Sequence, residues 1–167
     1  MTLVYEDLLG NRFKLKASVS QILHTHRKNN KEDKEAGGVL LGRYLTDSND
    51  IVVDRITEPN WNDIRGRYKF IRQDIAHQVE IDEAWRESAG TCHYLGDWHT
   101  HPEDDPTPSQ KDKSDWRRKL KEDIYFNRYL YFVIVGIKVT SIWKADNQTG
   151  NIEKLNYGQN STKTREY

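Results

Sequence analysis

The sequence predicts an α/β (α+β) fold, a single layered domain, and three observations predict it. Strand-length apolar runs occur along the whole chain, and three longer segments of helical period are interleaved with them. No internal repeat or second domain is apparent. The length, 167 residues, suits one hydrophobic core. The domain is expected to span residues 1–157, with 158–167 as a polar C-terminal tail.

The elements follow in order. Residues 3–5 and 12–16 are short extended segments separated by the turn signal Gly10-Asn11. Residues 17–27 read as a helix with Val19, Ile22 and Leu23 on one face and Ser18 near its start. Residues 29–34 form a charged linker. Residues 38–44 are a continuous apolar strand of the kind buried on both faces, and 50–56 are its expected partner beyond the turn Asp47-Ser48-Asn49-Asp50. Residues 59–67 read as loop and 68–71 as a short strand. The second helix is expected over 73–88, with Ile75, Val79, Ala84 and Trp85 on its buried side and Gly90 as its stop. Residues 94–100 form a strand, 109–121 the third helix, and 129–137 the most apolar run, expected to be a central strand. Residues 140–144 and 151–155, joined by the turn at 147–150, complete the sheet.

Composition narrows the function classes. Lys plus Arg number 26, as do Asp plus Glu, so bulk charge gives no drive toward nucleic acid. The single cysteine, Cys92, excludes an internal disulfide and fits a reducing cytosol, with Cys92 expected as a small buried residue. The N-terminus lacks a basic region followed by an apolar run, and no window approaches 18 apolar residues, so neither a signal peptide nor a membrane span is expected. These features predict a cytoplasmic protein.

The chemistry concentrates between Leu95 and Asp112. His99 and His101 are two apart, so on an extended segment both imidazoles point to one face and can reach one ion. Asp112 follows after a Pro-rich connector and can supply a carboxylate oxygen. Two nitrogens and one oxygen leave the fourth position of a tetrahedral zinc open for water, whose pKa falls to about 7 there. Ser109 and Asp112 also have the spacing of a helix N-terminal capping box. The two readings are compatible, since such a helix would carry Asp112 in its first turn, facing the histidines.

The pattern His99-Thr100-His101, seven residues, Ser109, two residues, Asp112 resembles the metal motif of the JAB/MPN (JAMM) zinc metalloproteases. The block Glu35-Ala36-Gly37-Gly38-Val39-Leu40-Leu41-Gly42 is similar to the upstream element of that family, a glutamate before a Gly-rich strand. The words around the histidines, Tyr94 to Trp98 and Pro102-Glu103, resemble the small bacterial JAB deconjugating peptidases encoded beside ubiquitin-like conjugation machinery, notably in CBASS antiphage operons.

The resemblance implies a curved mixed β-sheet flanked by helices. It implies one zinc per chain on His99, His101 and Asp112, with Glu35 as catalytic base and Ser109 as oxyanion donor. It implies cleavage at the extended C-terminal tail of a conjugated protein, either ubiquitin-like or a cGAS-like nucleotidyltransferase, with an activating and conjugating enzyme as operon partner. Trimming of a ubiquitin-like or sulfur-carrier precursor is the alternative within the family. A non-catalytic MPN scaffold is the alternative of another class, although such scaffolds usually lack a ligand. A zinc deaminase would need a Pro-Cys-x-x-Cys element, which a chain with Cys92 alone does not have. Whether Ser109 is catalytic or only a helix cap stays open, and Trp98 and Trp116 are expected in the core.

Overall fold

The computed structural model describes residues 1–29 and 32–158. Its elements are β1 (Leu3–Glu6), β2 (Arg12–Leu15), α1 (Ala17–Thr25), β3 (Gly37–Tyr44), β4 (Ile51–Ile56), β5 (Ile64–Gly66), β6 (Lys69–Ile71), α2 (Ala76–Glu87), β7 (His93–Thr100), α3 (Gln110–Glu122), β8 (Tyr129–Val135), β9 (Thr140–Asp146), β10 (Ile152–Lys154) and β11 (Asn156–Tyr157). Nine strands form one mixed sheet in the order β10-β9-β8-β7-β3-β4-β2-β1-β11, and β5 and β6 form a separate hairpin. The pairs β7–β8 and β2–β4 are parallel and the rest antiparallel.

The sheet curls until its edges almost meet. β10 pairs with β9 at one edge and β11 with β1 at the other, yet only Leu155 separates β10 from β11. Bonds cross the seam: the Tyr5 hydroxyl donates to the Thr140 carbonyl at 2.9 Å, and Lys144 pairs with Asp7 at 2.9 Å. The strands β3 and β8 at the centre read as unbroken apolar runs because both their faces are buried. Leu40 and Val133 point into a cluster with Val19 and Leu23 of α1. Their neighbours Val39, Leu41 and Phe132 point the other way, against Ala84 of α2 and Trp116 and Leu120 of α3. Helices therefore cover both faces, as the resemblance implied.

A bulge in β7 sets which side chains share a face. Leu40 opposes Gly96 but Leu41 opposes Tyr94, so Leu95 is the extra residue. The shift puts Tyr94 and Asp97, three apart, on the same face, and the phase then runs on through His99 and His101. Gly96 has φ +145°, and a Cβ there would meet the Tyr131 carbonyl oxygen at 1.7 Å, so only glycine permits this approach to β8.

Four expectations need correction. Part of the segment expected to be loop, residues 59–67, is strand β5; three residues are too few to show a period. The helix expected over 73–88 is Ala76–Glu87, and its buried side is His77 and Ala84. Ile75 is 77% exposed, Trp85 56%, and Val79 is exposed too, because these residues face away from the sheet. The strand expected over 151–155 is Ile152–Lys154, after which Leu155 turns into a further strand, β11. Gly158 still donates to the Val4 carbonyl at 2.9 Å, so ordered pairing includes the first residue of the expected tail; the remainder of that tail, residues 159–167, lies outside the described residues.

Candidate metal centre

Three elements converge at the C-terminal end of β7. The strand delivers His99, and His101 follows it, held in line by its N–H on the Val135 carbonyl at 3.0 Å. α3 begins with Ser109 as N-cap and turns its first-turn acid, Asp112, back toward the strand. The start of β3 brings Glu35. Gly37 opposes His99, and Ala36 and Thr100 exchange two bonds, Thr100 N–H to the Ala36 carbonyl at 2.9 Å and Ala36 N–H to Thr100 Oγ1 at 3.0 Å. Extending that register sets Glu35 across from His101, where directly opposed Cβ atoms lie roughly 5 Å apart.

The three expected ligands do come together. The three side chains converge, with His99 Nε2 to His101 Nε2 at 3.0 Å, His99 Nε2 to Asp112 Oδ1 at 3.2 Å and His101 Nε2 to Asp112 Oδ2 at 3.0 Å, and one donor atom from each lies within 4.8 Å of the others. A tetrahedral ion with bonds near 2.1 Å holds its ligand atoms about 3.4 Å apart, so these separations are close to what zinc needs. The same group is the one set of three or more metal-capable side chains found among the described residues. The second nitrogen of His101, Nδ1, is buried without a hydrogen bond, and the Glu103 carboxylate is 3.5 Å away. A ligating histidine is commonly oriented by a carboxylate on its other nitrogen, and Glu103 stands where that partner is needed.

The electrostatics suit a cation. Burial would raise the Asp112 carboxyl, yet the bonds from His101 and His99 and the Ser109 N–H hold it far below the usual carboxylate range. Burial lowers His101, but Asp112 outweighs it and raises the imidazole above its ordinary value. Burial pushes the Glu35 carboxyl up to about 7, with His101 opposing and Asp112 adding. A carboxyl poised near neutrality can take up and release a proton at working pH.

Ser109 is a helix cap, and the cap leaves its proton free. Asp112 N–H donates to Ser109 Oγ at 3.0 Å, and Ser109 N–H donates to Asp112 Oδ2 at 2.8 Å. Both bonds of this capping box use acceptor lone pairs of the side chains. The hydroxyl hydrogen has no acceptor among the described residues and can point into the cleft.

That cleft has a volume of about 540 Å³. One wall is the β5–β6 hairpin, which was not expected, and the other is α3. The hairpin is seated on the Glu35 segment: Glu35 N–H donates to the Gly66 carbonyl at 2.8 Å, Arg65 Nε to the Glu35 carbonyl at 2.8 Å, and Lys28 Nζ to the Arg67 carbonyl at 2.9 Å. Phe70 covers Gly37, where a Cβ would lie 2.3 Å from the ring. A larger groove of about 910 Å³ opens beside the cleft, with Trp85, Ile124 and Phe126 among its lining, and Arg72 borders both.

Sequence reasoning missed a buried ionic cluster under the cleft. Asp97 is met by Arg72, Lys119 and Tyr94, and burial, which would raise its carboxyl, is outweighed by the two cations, which hold it well below the carboxylate range. The available signal was the spacing: Asp97, His99 and His101 fall at i, i+2 and i+4 on one strand face. Trp98, Trp116 and Cys92 are buried, as expected.

Comparison with known proteins identifies the family. The family described as prokaryotic homologs of the JAB domain matches residues 16–147. A Vibrio cholerae protein named CD-NTase/cGAS isopeptidase is 43% identical over 104 residues, which are 62% of this chain and 63% of that protein. An Escherichia coli protein of the same name is 33% identical over 153 residues, 92% of this chain and 93% of that one. The match therefore spans just under two thirds of the V. cholerae relative and nearly all of the E. coli relative. A probable metalloprotease of Sinorhizobium fredii is 39% identical over 70 residues, 42% of each chain. The fold is similar to the solution structure of a Desulfitobacterium hafniense protein, with a TM-score of 0.57 and 22% identity over 84% of this chain and 87% of that one. No helix among the described residues is long and apolar enough to cross a membrane.

Proposed function

The chain belongs to the prokaryotic JAB-domain family, and from that premise we propose that it is a zinc-dependent isopeptidase. Its substrate in this reading is a cGAS-like nucleotidyltransferase, or a ubiquitin-like protein, joined through its C-terminal tail to a target. The names of the V. cholerae and E. coli relatives support that substrate class. A CBASS-type operon would supply the conjugating enzyme as partner. The observation that carries the reading is the convergence of His99, His101 and Asp112, with Glu35 across the ladder and the Ser109 hydroxyl free to donate.

His99, His101 and Asp112 would hold one zinc. When bound, the ion would polarise the scissile carbonyl and lower the pKa of the attacking water. Glu35 accepts a proton of that water and then passes it to the nitrogen of the leaving amine as the C–N bond breaks; one water is consumed, and with the water's second proton also taken up by the amine the products are a carboxylate and an ammonium group. Ser109 donates to the carbonyl oxygen as negative charge builds on it, which no other assigned residue does. The tail lies extended between the hairpin and α3. The groove beyond Arg72 gives the folded part of the substrate a surface to rest on. A non-catalytic scaffold has less support, because every residue that the chemistry needs is present.

The test is a nucleotidyltransferase fused at its C-terminus to a reporter, incubated with freshly purified protein. Release of the reporter, abolished by chelation and restored by zinc, is the expected result. An intact fusion in the presence of stoichiometric zinc sinks the reading.

A further inference from the structure

The floor and the two walls of the cleft come from separate parts of the chain, and one carboxylate touches all three. Asp97 belongs to β7, the floor, two residues before His99 and on the same face. Its Oδ2 accepts from Arg72 Nε at 3.0 Å and from Lys119 Nζ at 2.6 Å, and its Oδ1 lies 2.7 Å from the Tyr94 hydroxyl. Arg72 directly follows β6, the edge of the hairpin wall. Lys119 stands in α3, the wall whose first turn carries Ser109 and Asp112. Arg72 also reaches Asp123 at 3.5 Å, and the Tyr94 hydroxyl lies 2.7 Å from the same carboxylate.

These charges are committed to one another. Arg72 and Lys119 face Asp97, Asp115 and Asp123, so the cluster has no cation left over for an acidic substrate. What it can do is hold positions. An apolar contact lets two elements slide, whereas a buried forked pair on guanidinium and carboxylate fixes both distance and direction.

We propose that Asp97 is a positioning residue that sets both walls relative to the metal-bearing strand. Through Arg72 it fixes the hairpin along which the substrate tail lies. Through Lys119 it fixes α3, and with it the reach of Asp112 to the metal. The kinetic part of this inference rests on the peptidase reading above; the parts concerning metal affinity and hairpin order do not.

Compare Arg72→Met with Lys119→Met, each measured three ways: zinc affinity by chelator competition, amide exchange of residues 64–71, and cleavage. Arg72→Met should lose exchange protection in the hairpin and raise KM tenfold or more, with kcat within about twofold and zinc affinity unchanged. Lys119→Met should weaken zinc roughly tenfold to a hundredfold, the range for residues that orient a ligand, and lower kcat while hairpin exchange stays as in the wild type. Two variants with the same profile, scaled to their loss of melting temperature, overturn the proposal and leave only a general contribution to stability. So does an unchanged hairpin in Arg72→Met. Should a methionine variant not fold, Arg72→Lys and Lys119→Arg keep the charge, change the reach, and must show the same split in weaker form. If the wild type does not cleave, the peptidase reading fails, while exchange and zinc affinity still decide this one.

Discussion

The described residues include two histidine–aspartate clusters, and they differ in one respect. In the first, His77 Nδ1 lies 2.6 Å from Thr57 Oγ1 and Nε2 lies 2.6 Å from Asp63 Oδ2. Named in order, Thr57, His77 and Asp63 look like a nucleophile, base and acid. Yet every group in that chain is saturated. Thr57 Oγ1 accepts from Val39 N–H, and Asp63 accepts from the N–H groups of Asn60, Gln73 and Asp74. The His77 and Asp63 side chains are 1% and 0% exposed, so no substrate reaches them. In the second cluster two imidazole nitrogens face each other at 3.0 Å, Nδ1 of His101 has no partner, and the opening leads into a cleft. Satisfied polar groups hold a fold; unsatisfied ones that converge are sites for a ligand. Residue identity alone does not separate the two.

Alanine substitution should split the clusters most widely. His101→Ala is expected to lose zinc and all measurable cleavage while its melting temperature stays near that of the zinc-free wild type. His77→Ala should do the reverse: it strands buried Thr57 and Asp63, costs about 3 kcal/mol of stability by thermal or urea unfolding, and leaves kcat of the folded fraction nearly intact. Equal effects of the two on metal content would erase the distinction. Glu35→Gln comes next, with a hundredfold to ten-thousandfold loss of turnover, a typical range for a general acid–base group, and a full complement of zinc by elemental analysis. A parallel loss of zinc would make Glu35 a ligand.

Ser109 tests whether a group can belong to both kinds of cluster at once. Ser109→Ala should lower kcat roughly a hundredfold and stability by about 1 kcal/mol, because it removes the donor and the cap together. Ser109→Asp keeps the cap acceptor and favours the helix dipole, so it should stay folded and still fail to cleave. A Ser109→Asp protein that cuts at the wild-type rate reduces Ser109 to a cap.

The smallest expected effect is in pH dependence. Zinc-free, His101 has a raised folded pKa from its contact with Asp112, so the stability it contributes is present below the unfolded histidine value and fades as pH rises through the folded one. With zinc bound the sign reverses, since ligation needs the neutral ring and strengthens as pH rises. Melting curves between pH 6 and about 8 should therefore slope in opposite directions with and without zinc. Parallel slopes would place the titration elsewhere.

Legibility in the sequence followed distance along the chain. The block from His99 to Asp112 is local, so its face and its cap could be read from spacing, and the structure brings these residues together. Glu35 was placed by the Gly-rich strand after it, and the β3–β7 register agrees. The error in α2 has a long-range cause: His77 is buried because Thr57 and Asp63 wait for it 20 and 14 residues away, and no periodicity reports that. Ile75, Val79 and Trp85 followed the rule that apolar means inward, but two helix faces were apolar enough to choose from. Asp97 read as one more acid because its cations stand 25 and 22 residues away. The bulge at Leu95 was equally invisible, and without it Tyr94 and Asp97 could not share a face.

The near-closed sheet also bears on the order in which the molecule can be made. Its β1–β11 ladder joins Tyr5 to Tyr157, almost the full described length apart, and contacts so remote in sequence form late because the chain entropy lost in closing them is large. During synthesis β11 emerges after every other described strand. Everything that shapes the metal centre, from Glu35 through Asp112 to β8, precedes it, so the centre can assemble on a sheet that is still open and be locked only when β11 pairs with β1.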